Sequence, residues 1–145
     1  PNNLFVAGFI GSPQMNFVDA DCEVNGNIAT LKFGEFKVAL PEATSKKLID
    51  GGYAGKKVVF GIRPEDITDD AESLAKFADS TIESDVTGYE LLGAEVLLYY
   101  TVAGANMTAR VDSDTPARYG DHIKLAFDPN KIHVFDKETE LTITN

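Results

Sequence analysis

A glycine followed by lysines invites a test for phosphate chemistry, and Gly55-Lys56-Lys57 is the place in these 145 residues to make it. A loop that cradles phosphates needs another glycine five positions before that glycine and a Ser or Thr after the lysine. Here those positions hold Asp50 and Lys57, so the pattern of a phosphate loop is not met. Asp19, Asp21 and Glu23 alternate like the opening of a calcium loop, but its sixth position is Val24, where the sharp turn demands glycine. Alternating acids fit the wet face of a hairpin strand better. His122 and His133 stand in separate apolar surroundings without a cysteine or histidine at metal-ligand spacing, and they read as structural or surface side chains. The one cysteine, Cys22, lacks a histidine at a recognisable family spacing and reads as a small packed thiol. These residues predict no catalytic, cofactor-binding or metal site in this chain.

Two stretches resist so plain a reading. In "GIRPEDI", Gly61 to Ile67, a buried strand delivers Arg63 and Glu65 around Pro64. The pair can be a surface ion pair on a strand exit, or one side of an Arg–carboxylate contact across an interface. In "GYELLGAEV", Gly88 to Val96, Leu91 and Leu92 precede Gly93, as at a bulge or corner joining two strands.

The elements that must position these residues are mostly strands. From Phe17 to Leu40 the pattern predicts a meander: "FVDADCEV", a turn at Asn25-Gly26, "NIATLKF", a turn at Gly34-Glu35, and "FKVAL". Phe36, Val38 and Leu40 share its core face. "PEATSKKLIDGG" predicts a short helix with Pro41 at its first position and Gly51-Gly52 as its stop. "DDAESLAKFAD" predicts a second, with Asp69 and Glu72 spaced as a capping box. "TIESDVTGYELLG", "AEVLLYYTV", "NMTARV", "DHIKLAFD", "KIHVFD" and "ELTI" are again strands; Val96, Leu98, Tyr100 and Val102 share one face, as do Ile123, Leu125 and Phe127. About ten short strands with turns between them predict a mainly β fold, of OB-like small Greek-key barrels with one or two short helices. The helix near residues 67–80 interrupts the strands, and the expected division is into two intertwined lobes, about 17–67 and 80–145.

Composition bounds the partners. A net charge of -10 opposes phosphate-backbone binding, so no nucleic-acid partner is expected. One cysteine and no secretory signal pattern predict a reducing cytoplasm. The opening "FVAGFIGSPQMNF", Phe5 to Phe17, is too short to cross a bilayer and must be buried against protein. With Pro1 first and this apolar segment so near the start, the chain reads as a piece of a longer protein whose opening segment packs on an upstream domain.

Taken together, "FVAGFIGSPQMNF", "GIRPEDI", "ELLGAEV" and "KIHVFD", in this order over nearly the whole chain, resemble the C-terminal region of the ATP-binding subunits of ABC-type sugar importers, the maltose and multiple-sugar transporter ATPase family. In that family an N-terminal nucleotide-binding domain, which uses ATP and Mg, precedes a regulatory domain of OB-like, TOBE type. The resemblance implies that residues 1–16 are a junction segment and 17–145 the regulatory domain. Phe5 and Phe9 would dock on the nucleotide-binding domain, while Gly11, Ser12, Pro13, Met15, Asn16 and Phe17 match the junction motif. Two regulatory domains pair in such transporters and stay together while the ATPase halves open and close. Gly61, Arg63, Pro64, Glu65, Leu91, Leu92 and Gly93 are the implied interface residues.

The implied partners are the chain's own nucleotide-binding domain, a second copy, membrane permeases through the parent protein and a regulatory protein of sugar metabolism. The implied location is cytoplasmic, peripheral at the inner face of the cell membrane. The fragment itself is expected neither to bind nor to hydrolyse ATP. A different class of reading is a free-standing OB protein that binds a small oxyanion, which the charge of -10 opposes at long range.

Overall fold

The computed structural model describes residues 14–144. The chain runs through β1 (Asn16–Asn25), β2 (Ile28–Phe33), β3 (Phe36–Ala39), α1 (Glu42–Asp50), β4 (Lys57–Ile62), β5 (Ile67–Thr68), α2 (Ala71–Lys76) and β6 (Thr81–Asp85). It continues through β7 (Gly88–Leu92), β8 (Glu95–Val102), β9 (Ala105–Asp112), β10 (His122–Phe127), β11 (His133–Asp136) and β12 (Thr142–Thr144). Short 3₁₀ turns occupy Pro64–Asp66, Ala78–Ser80 and Pro129–Lys131. The fold is mainly β with two short helices, as the strand pattern predicts.

The hairpins follow from their turn residues. β1 and β2 pair from Asp21 opposite Lys32 to Asn25 opposite Ile28, which leaves Gly26-Asn27 as the turn, one residue later than Asn25-Gly26. Gly26 takes the positive φ of 64° that such a turn needs at its first central residue. Gly34-Glu35 joins β2 to β3 where the sequence places it, since Phe33 faces Phe36. Gly93-Ala94 joins β7 to β8 in the same way, so Leu91-Leu92-Gly93 ends a two-residue hairpin.

Helix α1 starts after Pro41, which caps it rather than occupying its first turn, and Gly51 ends it. Helix α2 is capped by Asp70, whose carboxylate accepts the Ser73 N–H; the capping box predicted at Asp69 does not form. Asp69 instead accepts the hydroxyl of Thr115, a residue that no local pattern connects to it.

Three sheets result among the described residues: β12-β11-β4-β1-β2-β3, β5-β10-β6 and β7-β8-β9. The largest takes its first four strands from residues 16–62 and completes itself with β11 and β12 from the other end of the chain. One apolar core joins the sheets, built from Val18, Leu31, Phe60, Ile82, Leu98, Leu125 and their neighbours. The predicted faces hold: Val38 and Leu40, then Val96, Leu98, Tyr100 and Val102, then Leu125 and Phe127 are all buried. Phe36 and Ile123 pack against that core while partly exposed.

Candidate functional site

The predicted junction residues Phe5, Phe9, Gly11, Ser12 and Pro13 lie outside the described residues. The remaining three, Met15, Asn16 and Phe17, lie at the start of β1 and split between two places, Met15 and Phe17 on one face and Asn16 on the other. Phe17 sits opposite Gly61 of β4, and Gly61 in turn sits opposite His133 of β11, so the three form one row across the sheet. On that outer face Met15, Val59 and Phe135 make a second, small apolar cluster with Phe17 against it. The rings of Phe17 and Phe135 meet edge to face at 5.9 Å.

Gly61 explains how Met15 reaches this cluster. A Cβ at that position would lie 2.4 Å from the Met15 sulfur and 3.2 Å from the Phe135 ring. Only a bare backbone leaves room for the thioether to lie on the strand. The glycine of "GIRPE" and the methionine of the junction are therefore two halves of one contact, 46 residues apart in the chain.

Asn16 points the other way. Its side-chain N–H donates to the carbonyl of Ile62 at 3.0 Å and to that of Thr108 in β9 at 2.9 Å. Its side-chain oxygen accepts the Thr108 N–H at 2.7 Å. The amide thus exchanges with one residue of β9 the two hydrogen bonds that a neighbouring strand would make. Buried to 6% exposure, Asn16 ties the six-stranded sheet to the three-stranded one.

Beyond Ile62 the chain turns. Arg63 is extended at φ -76° and ψ 150°, as the following proline requires, and Pro64 is buried as the first residue of a 3₁₀ turn that packs against β9. Neither Arg63 nor Glu65 makes an ion pair within the described residues, and Glu65 is exposed. Arg63 acts on its surroundings at longer range. Burial holds the His133 imidazole below its ordinary pKa, and Arg63 adds to that effect. Burial pushes the Asp66 carboxyl upward, helped by Glu65 and opposed by Lys131 and Arg63. The His133 Nδ1 and Arg110 Nε atoms are buried without hydrogen-bond partners among the described residues.

The Leu91-Leu92-Gly93 corner stands apart. β7 pairs with β8 and is the outer strand of its sheet, and Leu91 and Leu92 are 59% and 43% exposed. Among the described residues no backbone hydrogen bond or ion pair joins the corner to the "GIRPE" turn. The structure therefore unites the junction with "GIRPE" and leaves the leucine pair as a second, separate surface feature. Thr108, Phe135 and His133 complete the first arrangement, and in sequence they stand only as members of the predicted strands "NMTARV" and "KIHVFD".

The other recesses carry less. Tyr53, Lys56, Lys57, Asp136, Lys137 and Glu138 line an open cleft of about 620 Å³. Two of its lysines are engaged, Lys57 with Asp21 at 3.0 Å and Lys137 with Asp19 at 2.7 Å. Asp136 is held at a pKa of about 2, first by the Thr139 N–H and then by the Tyr53 hydroxyl, whose own pKa rises to about 12. Lys57, Lys137 and Asp136 are thus already engaged, which leaves Lys56 and Glu138 as the lining charges with no ion pair among the described residues. Among the described residues no group of three His, Cys, Asp or Glu side chains could hold a metal ion, and no helix is long and apolar enough to cross a membrane.

Comparison with known proteins gives this geometry a family. The family model described as the MalK OB fold domain matches residues 11–67, and that described as the TOBE domain matches residues 60–135. The two overlap at the end of β4 and the "GIRPE" turn. The chain is 41% identical over 143 residues to the oligosaccharides import ATP-binding protein MsmX of Bacillus subtilis, covering 99% of this chain and 38% of that protein. It is 40% identical to the multiple sugar-binding transport ATP-binding protein MsmK of Streptococcus mutans, covering 99% and 37%. It is 39% identical to the trehalose/maltose import ATP-binding protein MalK of Thermococcus litoralis, covering 96% and 37%.

The chain thus spans less than two fifths of the length of these relatives. Among solved structures, the cytoplasmic molybdate-binding protein ModG, with molybdate bound, superposes with a TM-score of 0.59 at 13% identity, over 83% of this chain and 94% of that one. That likeness is one of fold. With the TOBE model covering over half of the residues, and sugar-import ATP-binding proteins matching from end to end, the chain belongs to the TOBE domain family.

Proposed function

We propose that this chain is the regulatory and dimerisation domain of the ATPase subunit of an ABC-type carbohydrate importer, and that it holds two subunits together while their nucleotide-binding domains open and close. The observation that supports the pairing role is the β7 corner. Two adjacent leucines stand exposed at the end of a strand whose outer edge is unpaired among the described residues. Such an edge offers backbone donors and acceptors to another strand, and the leucines offer apolar area beside it. A second copy supplies both, by the same patch on each partner. The similarity to sugar-import ATP-binding proteins supports the rest. In the parent protein ATP and Mg belong to a separate nucleotide-binding domain, permease subunits place the assembly at the inner face of the membrane, and a regulatory protein of sugar metabolism is a further partner of this domain.

Sedimentation equilibrium of the chain, with and without Leu91→Asp and Leu92→Asp together, tests the pairing. The wild type should dimerise and the double variant should remain monomeric, and at dilutions where neither associates the two should melt alike, because both side chains are exposed in the single chain. Equal association of the two proteins, or a wild type that stays monomeric at high concentration, would remove the corner as the pairing surface.

A further inference from the structure

The three residues Met15, Asn16 and Phe17 anchor the entering chain to three strands, and the Asn16 anchor differs in kind from the other two. Met15 and Phe17 make close apolar side-chain contacts, with Gly61 and with Phe135, that carry no directed bond. The Asn16 amide makes three directed hydrogen bonds, and its two donors and one acceptor all meet buried or half-buried backbone groups. β9 is bonded along one edge to β8, from Glu95 opposite Asp112 to Val102 opposite Ala105. At its other edge, where no strand pairs with it among the described residues, the Asn16 side chain takes the place of a strand at Thr108.

We infer that Asn16 is a positioning residue that relays the placement of the entering chain to the β7-β8-β9 sheet. The relay starts at the Met15–Gly61 contact, passes through the Asn16 amide to Thr108, and continues through the β9–β8 and β8–β7 ladders. Thr108 faces Tyr99, and Leu91 faces Val96, so the exposed leucine corner lies two ladders away from the junction. Backbone ladders are stiff, whereas apolar side-chain contacts between sheets can slip, so a directed bond at this one point fixes where the sheet sits. Asparagine suits the role. Aspartate would set a carboxylate against the Ile62 and Thr108 carbonyls, and serine has a single oxygen to offer where three bonds are made.

The inference that the relay ends at a pairing surface rests on the function proposed above; the relay itself does not. Amide hydrogen exchange measured by NMR on the chain tests the relay, and sedimentation tests the pairing, so the two can fail separately. In Asn16→Ala, exchange at Thr108 and its β9 neighbours should quicken about tenfold or more while amides of β2 and β3 keep their protection. Uniform quickening in all sheets would overturn the relay and leave Asn16 as a general stability residue. The decisive measurement is a double-mutant cycle with Gly61→Ala, which displaces Met15. In the wild-type background Gly61→Ala should quicken exchange at Thr108, and in the Asn16→Ala background it should add nothing there. Equal effects in both backgrounds, or none in the wild type, would overturn the proposal. Should Asn16→Ala not fold, Asn16→Gln displaces the same amide by one methylene, and the same two outcomes decide.

Discussion

Two histidines in this chain respond to acid in opposite senses. His122 lies on the surface with its Nδ1 2.8 Å from Asp85 and its Nε2 3.5 Å from Glu83, and the Asp85 hydrogen bond holds its pKa above the ordinary value. Its contribution to stability is present below the ordinary histidine pKa, and is lost as pH rises through the raised folded-state value. His133 is held low, first by burial and then by Arg63, so the native state resists its protonation. Its contribution is present above the ordinary value and is lost as pH falls. Denaturant midpoints between about pH 5 and pH 8 should separate them, since the ordinary value is about 6.5. His122→Gln should be less stable than wild type at the acid end and match it at the alkaline end. His133→Gln should lose less stability on acidification than wild type does. Parallel curves for all three proteins would contradict both assignments. At this scale the sequence was partly legible. Met15 and Gly61 both stood in conspicuous motifs, but that one lies on the other follows from a strand pairing that no local pattern encodes. Thr108 was visible only as a residue of the predicted strand "NMTARV".

Single elements differ sharply in how firmly they are held. Helix α1 is pinned by Ser45, fully buried, whose hydroxyl accepts the Ala29 N–H of β2 at 2.8 Å and donates to the Leu40 carbonyl at 3.2 Å. Ser45→Ala leaves a buried N–H without a partner and should lower global stability by about 1–3 kcal/mol in denaturant titration. Helix α2 buries no residue. Asp70→Ala removes its cap, worth about 1 kcal/mol to the helix, and should quicken exchange within Ala71–Lys76. The global midpoint should move little, since a helix that buries no residue can open alone. A large shift for Asp70→Ala, or none for Ser45→Ala, would reverse this ranking. The helices and most hairpins were readable because their signals are local: a proline before, glycines after, glycine in a two-residue turn. The capping residue was not. Asp69 and Asp70 are equivalent in sequence, and Thr115, folded in from afar, takes the first and leaves the second to cap.

For the molecule as a whole, the mainly β class followed from strand count and turn spacing, but the closing of the largest sheet did not. β11 pairs along β4, from His133 opposite Gly61 to Asp136 opposite Val58, and β12 pairs with β11. Strand period is the same on every sheet, so periodicity could not say which sheet the last strands join. Without β11 the edge of β4 is open, and Phe135 no longer covers Gly61 and Val59. A chain ending at Asp128 should therefore show no cooperative unfolding transition by circular dichroism, and a sharp wild-type-like melt would contradict this.

The same closure constrains how the domain is made. During translation β4 emerges some seventy residues before its partner β11, a gap set by the numbering of the two strands. Throughout that interval Val58, Val59 and Phe60 form an uncovered β-edge on the nascent chain, open to pairing with a neighbour on the same polysome.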